Sequence, residues 1–320
     1  MQTIISRIQR FMYQESLIPD NAPTIIGLSG GPDSIFLLHV LANVRLEKNI
    51  TIIAAHLNHE WRPEAHVDAQ LCQSVCDALN IPLVTKKISE LGVQITFNGS
   101  KEEIGRKARR FFFESLAKEY AAQAIALAHH ADDQMETFFI RLIRGASLAG
   151  LVGIKAKDGL YIRPLLETRK QDILEYLHAN EISYTHDASN ESTDFLRNRI
   201  RKSVIPALQH CDARFDANFF GTHNQLAHTE DFLQHEAQRI FKEICTENIM
   251  NIKRLVALHP VVRTRVIILW LCSAKVPFIP SQGFFDEIAR FLESRGIANH
   301  TFYGKWQICK NHDNAHIKII

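Results

Sequence analysis

The sequence predicts an α/β protein: a doubly wound, mostly parallel sheet, followed by a smaller, mostly helical domain with a short terminal sheet. Three observations lead there. Residues 23–145 alternate short apolar runs with stretches whose apolar residues recur at helical spacing, the pattern of a parallel sheet covered by helices on both faces. From about residue 216 onward, long helical segments dominate. The chain has 320 residues, 46% hydrophobic and 22% charged, which is ordinary globular composition and enough for two domains. The boundary is expected between 1–212 and 213–320.

The elements follow in order. PTIIGLS (23–29) is a strand that ends in a turn, and Ile35, Phe36, Leu38, Leu41 and Val44 mark a helix over 33–44. TIIAAHL (51–57) is a strand, 64–79 a helix and IPLVTKKI (81–88) a strand. A long amphipathic helix is expected over 101–120, a strand over 124–130 and a helix over 132–144. Residues 145–166 read as loops with a short strand, and 168–179 as a helix. A polar loop, THDASNESTD (185–194), leads into a basic helix, FLRNRIRKSVIPAL, that Pro206 should end or kink. In the second domain helices are expected over 217–247, 260–274 and 281–294, and short strands in TFYGKWQICK and HIKII.

Composition excludes several classes. Lys plus Arg number 37 and Asp plus Glu 35, a net charge of +2, so a nucleic-acid partner has to be argued from local clusters. The longest apolar run, Val266–Cys272, is far short of the ~20 residues a spanning helix needs. The N-terminal stretch lacks the apolar core of a secretory signal. The six cysteines include no C-x-x-C pair, and Cys72 and Cys76, four apart, read as small core residues of one helix face. The expectation is a soluble, cytoplasmic protein in a reducing compartment, with no membrane association.

Four motifs carry chemistry. Ser29-Gly30-Gly31-Pro32-Asp33-Ser34 joins an expected strand to an expected helix. Its glycines allow a tight turn, and the helix N-terminus offers unpaired N–H groups to a phosphate. No Gly-Lys-[Ser/Thr] follows, so it is not a Walker A loop. In the second, Ala128–Thr137, Asp133 and Glu136 are three apart and share the first helical turn, where they could hold an ammonium or Mg2+ or merely complement the helix dipole. His129 and His130 lack a third ligand at zinc spacing. The third runs from Glu102 to Phe113 and sets Arg106, Arg109 and Arg110 beside an apolar face. The fourth, Arg197-Asn198-Arg199-Ile200-Arg201-Lys202, concentrates four cations on one helix; either a phosphate backbone or plain solvent suits it.

SGGPDS resembles the PP-loop of ATP pyrophosphatases, of the adenine nucleotide α-hydrolase-like fold, which split ATP between its α- and β-phosphates. The order SGGPDS, HLNHEWR (56–62), EEIGRKARRFFF, AHHADDQMETFFIRLIRGASLAGLVGI (128–154), RPLL (163–166) and DASNESTDFLRNRIR (187–201) resembles the tRNA(Ile)-lysidine synthase family, closely over about 20–210 and loosely beyond. That resemblance implies a ligase that joins lysine to C2 of the wobble cytidine of the CAU-anticodon isoleucine tRNA, consuming ATP with Mg2+ and releasing AMP and pyrophosphate. It implies ATP binding by Ser29, Gly30, Gly31, Pro32, Asp33 and Ser34, with Asp33 near Mg2+, and lysine binding by Arg109, Asp133 and Glu136. Asp33, Asp133 and Glu136 become the catalytic candidates. It places Arg144, Arg197, Arg199, Arg201 and Lys202 on the tRNA, and His59, Arg62 and Asn198 in further signatures. Residues 1–212 become the ATP-binding catalytic domain and 213–320 a helical tRNA-binding or substrate domain; a homodimer is possible. Trp61 stands where the family usually has leucine, Gly105 where alanine is usual and Arg110 where tyrosine is. Longer members carry a further C-terminal domain, for which this sequence leaves no room.

Two related readings and one from another class compete. A tRNA thiolase of the same superfamily would use C-x-x-C cysteines, which are absent. A small-molecule amidating enzyme would not need the basic helix. A catalytically silent tRNA binder would not need SGGPDS with the Asp133/Glu136 pair.

Overall fold

Strands buried on both faces set the first layer of the structure. The computed structural model describes residues 3–61, 65–92, 101–185, 196–279 and 281–320. It divides into two compact units, Met1–Phe219 and Phe220–Ile320. The division falls inside one continuous helix, Phe215–Ile244, rather than in a loop.

The first unit opens with helix α1 (Ile4–Gln14), which turns Ile8, Phe11 and Met12 inward. Sequence reasoning weighed this stretch only as a leader and missed the helix. There follow β1 (Thr24–Gly27), α2 (Pro32–Lys48), β2 (Ile52–Asn58), α3 (Ala65–Ala78), β3 (Leu83–Lys87), α4 (Lys101–Glu119), β4 (Ala124–Ala126) and α5 (Ala131–Ile143). Next come a one-turn helix α6 (Leu148–Leu151), the two-residue strands β5 (Lys157–Asp158) and β6 (Tyr161–Ile162), and α7 (Lys170–Ala179). The sheet order is β3-β2-β1-β4-β6-β5, parallel except at the β5 edge. Ile26, Ile52, Ala54, Ala124 and Ala126 face one apolar cluster with α1, α2, α3 and α7. Ile25, Ile53, Ala55 and Ile125 face the other, with Phe112, Phe113 and Leu116 of α4. Alternation of period two thus buries both faces of the sheet. The expected strand over 124–130 is shorter than read, because His130 caps α5 and turns the chain out of the sheet.

The basic segment is not one helix ended by Pro206. It runs as α8 (Leu196–Arg199), a π-helical stretch Ile200–Val204 and α9 (Ile205–Cys211). Pro206 has no N–H for the carbonyl one turn back, and the wider π turn absorbs that lost bond.

In the second unit, α10 (Phe215–Ile244) ends earlier than the expected 217–247. Glu247 and Asn248, both with positive φ (49° and 66°), make a two-residue turn between β7 (Cys245–Thr246) and β8 (Ile249–Asn251). Such a turn matches the twist of a hairpin. Then come α11 (Ile252–Val256), α12 (Pro260–Ser273), α13 (Gln282–Glu293) and strands β9 (Ala298–Phe302), β10 (Trp306–Asn311) and β11 (Asn314–Ile319). They form an antiparallel sheet, β7-β8-β11-β10-β9, over a core around Trp270, Ile267, Leu271, Ile288 and Ile308. Lys310 is buried, and its Nζ donates to the Phe291 carbonyl at 2.9 Å, to Ser294 Oγ at 2.7 Å and to the Ser294 carbonyl. That caps the last carbonyls of α13 with a cation, which complements the helix dipole.

Candidate active site

The chain order around β1 fixes where a ligand can bind. β2 and β3 lie on one side of β1 and β4 on the other, so the connections leave the β1/β4 junction in opposite directions. In parallel sheets ligands bind outside the carboxyl ends of the strands at such a switch point. Here that place is built from the turn after β1 and the turn after β4.

The first turn is Ser29–Ser34. Gly30 has φ +86°, and a Cβ there would lie 3.0 Å from Thr185 Oγ1; both facts favour glycine. Gly31 is the N-cap of α2 and Pro32 opens the helix, the position where a missing N–H costs nothing. Buried Ser34 ties the turn together: its Oγ donates to the Gly31 carbonyl at 2.9 Å and accepts the Ser29 N–H at 3.1 Å.

The second turn brings His130 among three carboxylates. Its Nε2 lies 3.8 Å from Asp33 Oδ2 and 3.5 Å from Asp133 Oδ2, and its Nδ1 lies 3.6 Å from Asp132 Oδ2. Burial opposes charge on this ring, yet the carboxylates outweigh it and raise the pKa above the usual histidine value. His129 goes the other way: burial brings it down to about 4 against the pull of Asp133, with Arg163 and Arg197 adding to the effect. The two neighbouring rings are therefore shifted in opposite directions. Asp133 accepts the His130 amide at 3.0 Å; burial would raise its pKa, but His130, His129 and Arg197 hold it below the usual value.

Two cations that sequence reasoning missed complete this cluster. Lys170 Nζ donates to Asp33 Oδ1 at 2.5 Å. Arg169 donates to Asp132 at 3.0 and 3.3 Å and to Asp216 at 2.5 Å. Asp132 also accepts the Lys170 amide at 2.8 Å; against burial, these bonds and His130 hold its pKa well below the carboxylate range. The signal was present. Arg169 and Lys170 stand at the N-cap and first position of α7, where the helix dipole disfavours cations, so an acidic partner was to be expected.

Glu136 is 1% exposed. Arg201 grips it with Nε at 2.5 Å and Nη2 at 3.1 Å, and Arg197 Nε lies 3.2 Å away. Burial still prevails, and its pKa is raised. The basic segment is therefore divided. Arg197 and Arg201, one turn apart, reach inward to Glu136, while Arg199 and Lys202 are exposed, as is Arg144 at the end of α5. The four cations that the sequence sets on one helix thus do not share one environment. Asn198 is buried. Arg109 is exposed on α4 and acts electrostatically on His59, so its described neighbour lies on the β2 side of the site. Arg62 and the loop 187–194 lie outside the described residues.

A loop further on is pinned from α5. Gln134 Nε2 donates to the Ile154 carbonyl at 2.8 Å and Gln134 Oε1 accepts the Ile154 amide at 2.6 Å; Arg141 donates to the Gly153 carbonyl at 3.0 Å. Gly153 has φ +79° and leaves no room for a Cβ beside Gln134 Oε1, which accounts for glycine in GLVGI.

Three helix N-termini, those of α2, α5 and α7, thus converge with Asp33, His130 and Lys170 on a glycine turn without a Walker lysine. This is the anion-binding geometry of a PP-loop nucleotide site, and the PP-loop domain family matches residues 1–208. The chain belongs to that family. Among curated proteins it is similar to the tRNA(Ile)-lysidine synthases of Clostridium perfringens, 36% identical over 73% of this chain and 51% of the relative, and of Bacillus cereus, 30% identical over 91% and 64%. The chain spans about half the length of the first of these. Among solved structures, the U34-tRNA thiolase NcsA from Methanococcus maripaludis, with its [4Fe-4S] cluster, shares the fold at TM-score 0.58 and 18% identity, covering 69% of this chain and 78% of that one. Among the described residues no helix is long and apolar enough to cross a membrane, and no group of His, Cys, Asp and Glu is placed to hold a metal ion. All six cysteines are free.

Proposed function

We propose that the chain carries the catalytic core of an ATP-dependent tRNA-modifying ligase that joins lysine to C2 of the wobble cytidine of the CAU-anticodon isoleucine tRNA. The observation that supports it most is the convergence of the SGGPDS turn and the Asp133/Glu136 helix at one switch point of the sheet, in a chain similar to tRNA(Ile)-lysidine synthases.

In this reading the turn 29–34 binds the phosphates of ATP. A carboxylate beside a phosphate turn is the hard oxygen donor that Mg2+ takes together with substrate phosphates, so Asp33 fits that ion. Bound there, Mg2+ would neutralise charge on the pyrophosphate side. Lys170, His130 and the N-termini of α2, α5 and α7 stabilise the same charge from the protein. The cytidine O2 attacks the α-phosphorus and pyrophosphate leaves, which turns a poor electrophile into one with AMP as leaving group. The ε-amine of lysine then attacks C2 and expels AMP. That amine must first lose a proton; Asp33 and Glu136 are the candidate acceptors, and Asp33 is paired with Lys170 on the phosphate side, so buried Glu136, whose pKa is raised, takes the role. Asp133 holds the ammonium beforehand and Arg109 the lysine carboxylate. Arg144, Arg199 and Lys202 contact tRNA phosphates, and 213–320 is a further tRNA-binding or substrate domain.

The test is the AMP yield of the purified chain with ATP, lysine and the isoleucine tRNA, each omitted in turn. AMP that requires tRNA and lysine together is expected. AMP formed without tRNA would favour a small-molecule amidating enzyme. Lys170→Ala is expected to cut the AMP yield at least tenfold while the KM for lysine stays within about threefold. A changed lysine KM with unchanged adenylation would move Lys170 to the lysine side.

A further inference from the structure

An exposed indole stands at the carboxyl edge of the sheet. The chain has three tryptophans; Trp270 and Trp306 are 0% and 7% exposed, but Trp61 is 44% exposed. It follows β2, whose neighbour β1 leads into the phosphate turn. Trp61 is also one of the positions where this sequence departs from the family it resembles.

The ring is held in place. It stacks on His59 with centroids 4.6 Å apart and planes 23° from parallel. Its six-membered edge lies over Gly105 of α4, so closely that a Cβ there would meet Cη2 at 2.6 Å. The second departure, glycine for alanine at 105, is thus the room that the first one needs. The turn beneath is fixed as well. Glu60 has a left-handed backbone, φ 57°, a conformation that costs energy in a non-glycine residue. Two bonds hold it: its amide donates to Asn58 Oδ1 at 2.8 Å, and its carboxylate accepts the Ser89 amide at 3.1 Å. With one face on His59 and one edge on α4, the indole's exposed area lies on what remains.

The surroundings suit a nucleotide. His59 Nδ1 is buried with no hydrogen-bond partner among the described residues, and burial together with Arg109 brings the ring's pKa down to about 4, so it is neutral. Arg109, one turn along α4 from Gly105, is exposed beside the pair. A rigid aromatic face, a neutral polar edge and a guanidinium are what an unstacked base with its phosphate needs.

We propose that Trp61, backed by His59, is a stacking surface for a nucleobase brought to the carboxyl edge of the sheet. The inference rests on reading the site as one that adenylates RNA. The base has two sources, the adenine of ATP or a base of the tRNA, and the experiment separates them.

Trp61 is the sole tryptophan of the first unit, so it reports on itself. The full chain is titrated with Mg·ATP and, separately, with an anticodon stem-loop RNA carrying CAU, recording tryptophan fluorescence and, in parallel, calorimetric binding. Trp61→Phe supplies the background of the other two tryptophans and keeps an aromatic ring at position 61. The expected result is quenching, absent from Trp61→Phe, by one of the two ligands. Trp61→Ala should weaken that same ligand about 5–150-fold and the other less than about twofold. Quenching by ATP identifies adenine; quenching by the stem-loop identifies an RNA base. Calorimetric binding of both ligands with no Trp61-dependent quenching, and with Trp61→Ala unchanged, overturns the proposal and leaves the functional reading intact. Failure of both ligands to bind the wild-type chain overturns the functional reading, and the stacking surface with it.

Discussion

Glu136 carries two demands at once. As the proposed proton acceptor it needs a raised pKa, and burial supplies that. As a buried carboxylate it needs a partner, and Arg201 supplies that from 65 residues away. On the proposed reading, lysine enters a pocket whose second carboxylate is already paired with Arg201, which leaves Asp133 as the first acceptor of its ammonium. The pairing also predicts a pH signature. In Arg201→Ala, Glu136 keeps its burial and loses its main counter-charge, so its folded pKa rises further above the unfolded value. A carboxyl with a raised folded pKa lends stability that is present below its unfolded pKa and lost as pH rises through the folded one. Arg201→Ala should therefore melt below wild type by the most near pH 8, at a cost of about 1–3 kcal/mol since the arginine is partly exposed. The deficit should shrink as pH falls toward 5. A deficit that is flat with pH, measured in matched thermal melts, would show that Arg201 does not govern Glu136. That pairing was not legible in the sequence, where Glu136 and Arg201 belonged to separate motifs with separate partners. The cations at Lys170 and Arg169 were legible in principle, because a helix start is an unfavourable place for them.

At the scale of elements, periodicity carried the sheet. The apolar runs 23–29, 51–57, 81–88 and 124–130 each overlap an observed strand; β1, β2 and β4 are buried on both faces and so almost wholly apolar, whereas β3 lies at the sheet edge and is half-buried to exposed. The short strand expected within 145–166 corresponds to β6, whereas β5, β7 and β8, two or three residues each, were beyond reach, because so short a run has no period. The π stretch before Pro206 was likewise beyond a rule that lets proline only end or kink a helix. The pair Trp61/Gly105 gives the element-scale prediction. Alanine is the better helix former by about 1 kcal/mol, yet Gly105→Ala in α4 should destabilise by about 1–3 kcal/mol, because its Cβ meets the Trp61 ring. In a Trp61→Leu background the same change should stabilise. A double-mutant cycle by denaturant unfolding should return a coupling of at least about 1 kcal/mol. Additivity would show that the ring moves aside freely.

At the scale of the whole molecule, the proposed function divides between a compact nucleotide site and a dispersed set of exposed cations. The net charge of +2 hides that set, and the structure narrows it: of the cations in the basic segment, Arg199 and Lys202 are exposed and Arg197 and Arg201 turn to Glu136. Arg199→Ala and Lys202→Ala should each lower the salt slope of tRNA binding by about 0.7–0.9 and leave ATP binding unchanged. A slope equal to wild type across a titration of 50–300 mM salt (roughly the range where such slopes are read) would show that neither contacts a tRNA phosphate. The pattern changes near residue 216 and the expected boundary was 212/213, whereas the two compact units meet at Phe219/Phe220, within a helix, where periodicity carries no mark of a division.

The central claim is that this site joins lysine to a cytidine base. The most direct measurement is mass spectrometry of nucleosides from CAU-anticodon isoleucine tRNA incubated with the chain, ATP, Mg2+ and isotopically labelled lysine. The account predicts one new nucleoside at the wobble position, carrying the label, formed only when ATP is present and absent with Asp33→Ala. Unlabelled tRNA, with ATP nevertheless converted to AMP, would contradict it.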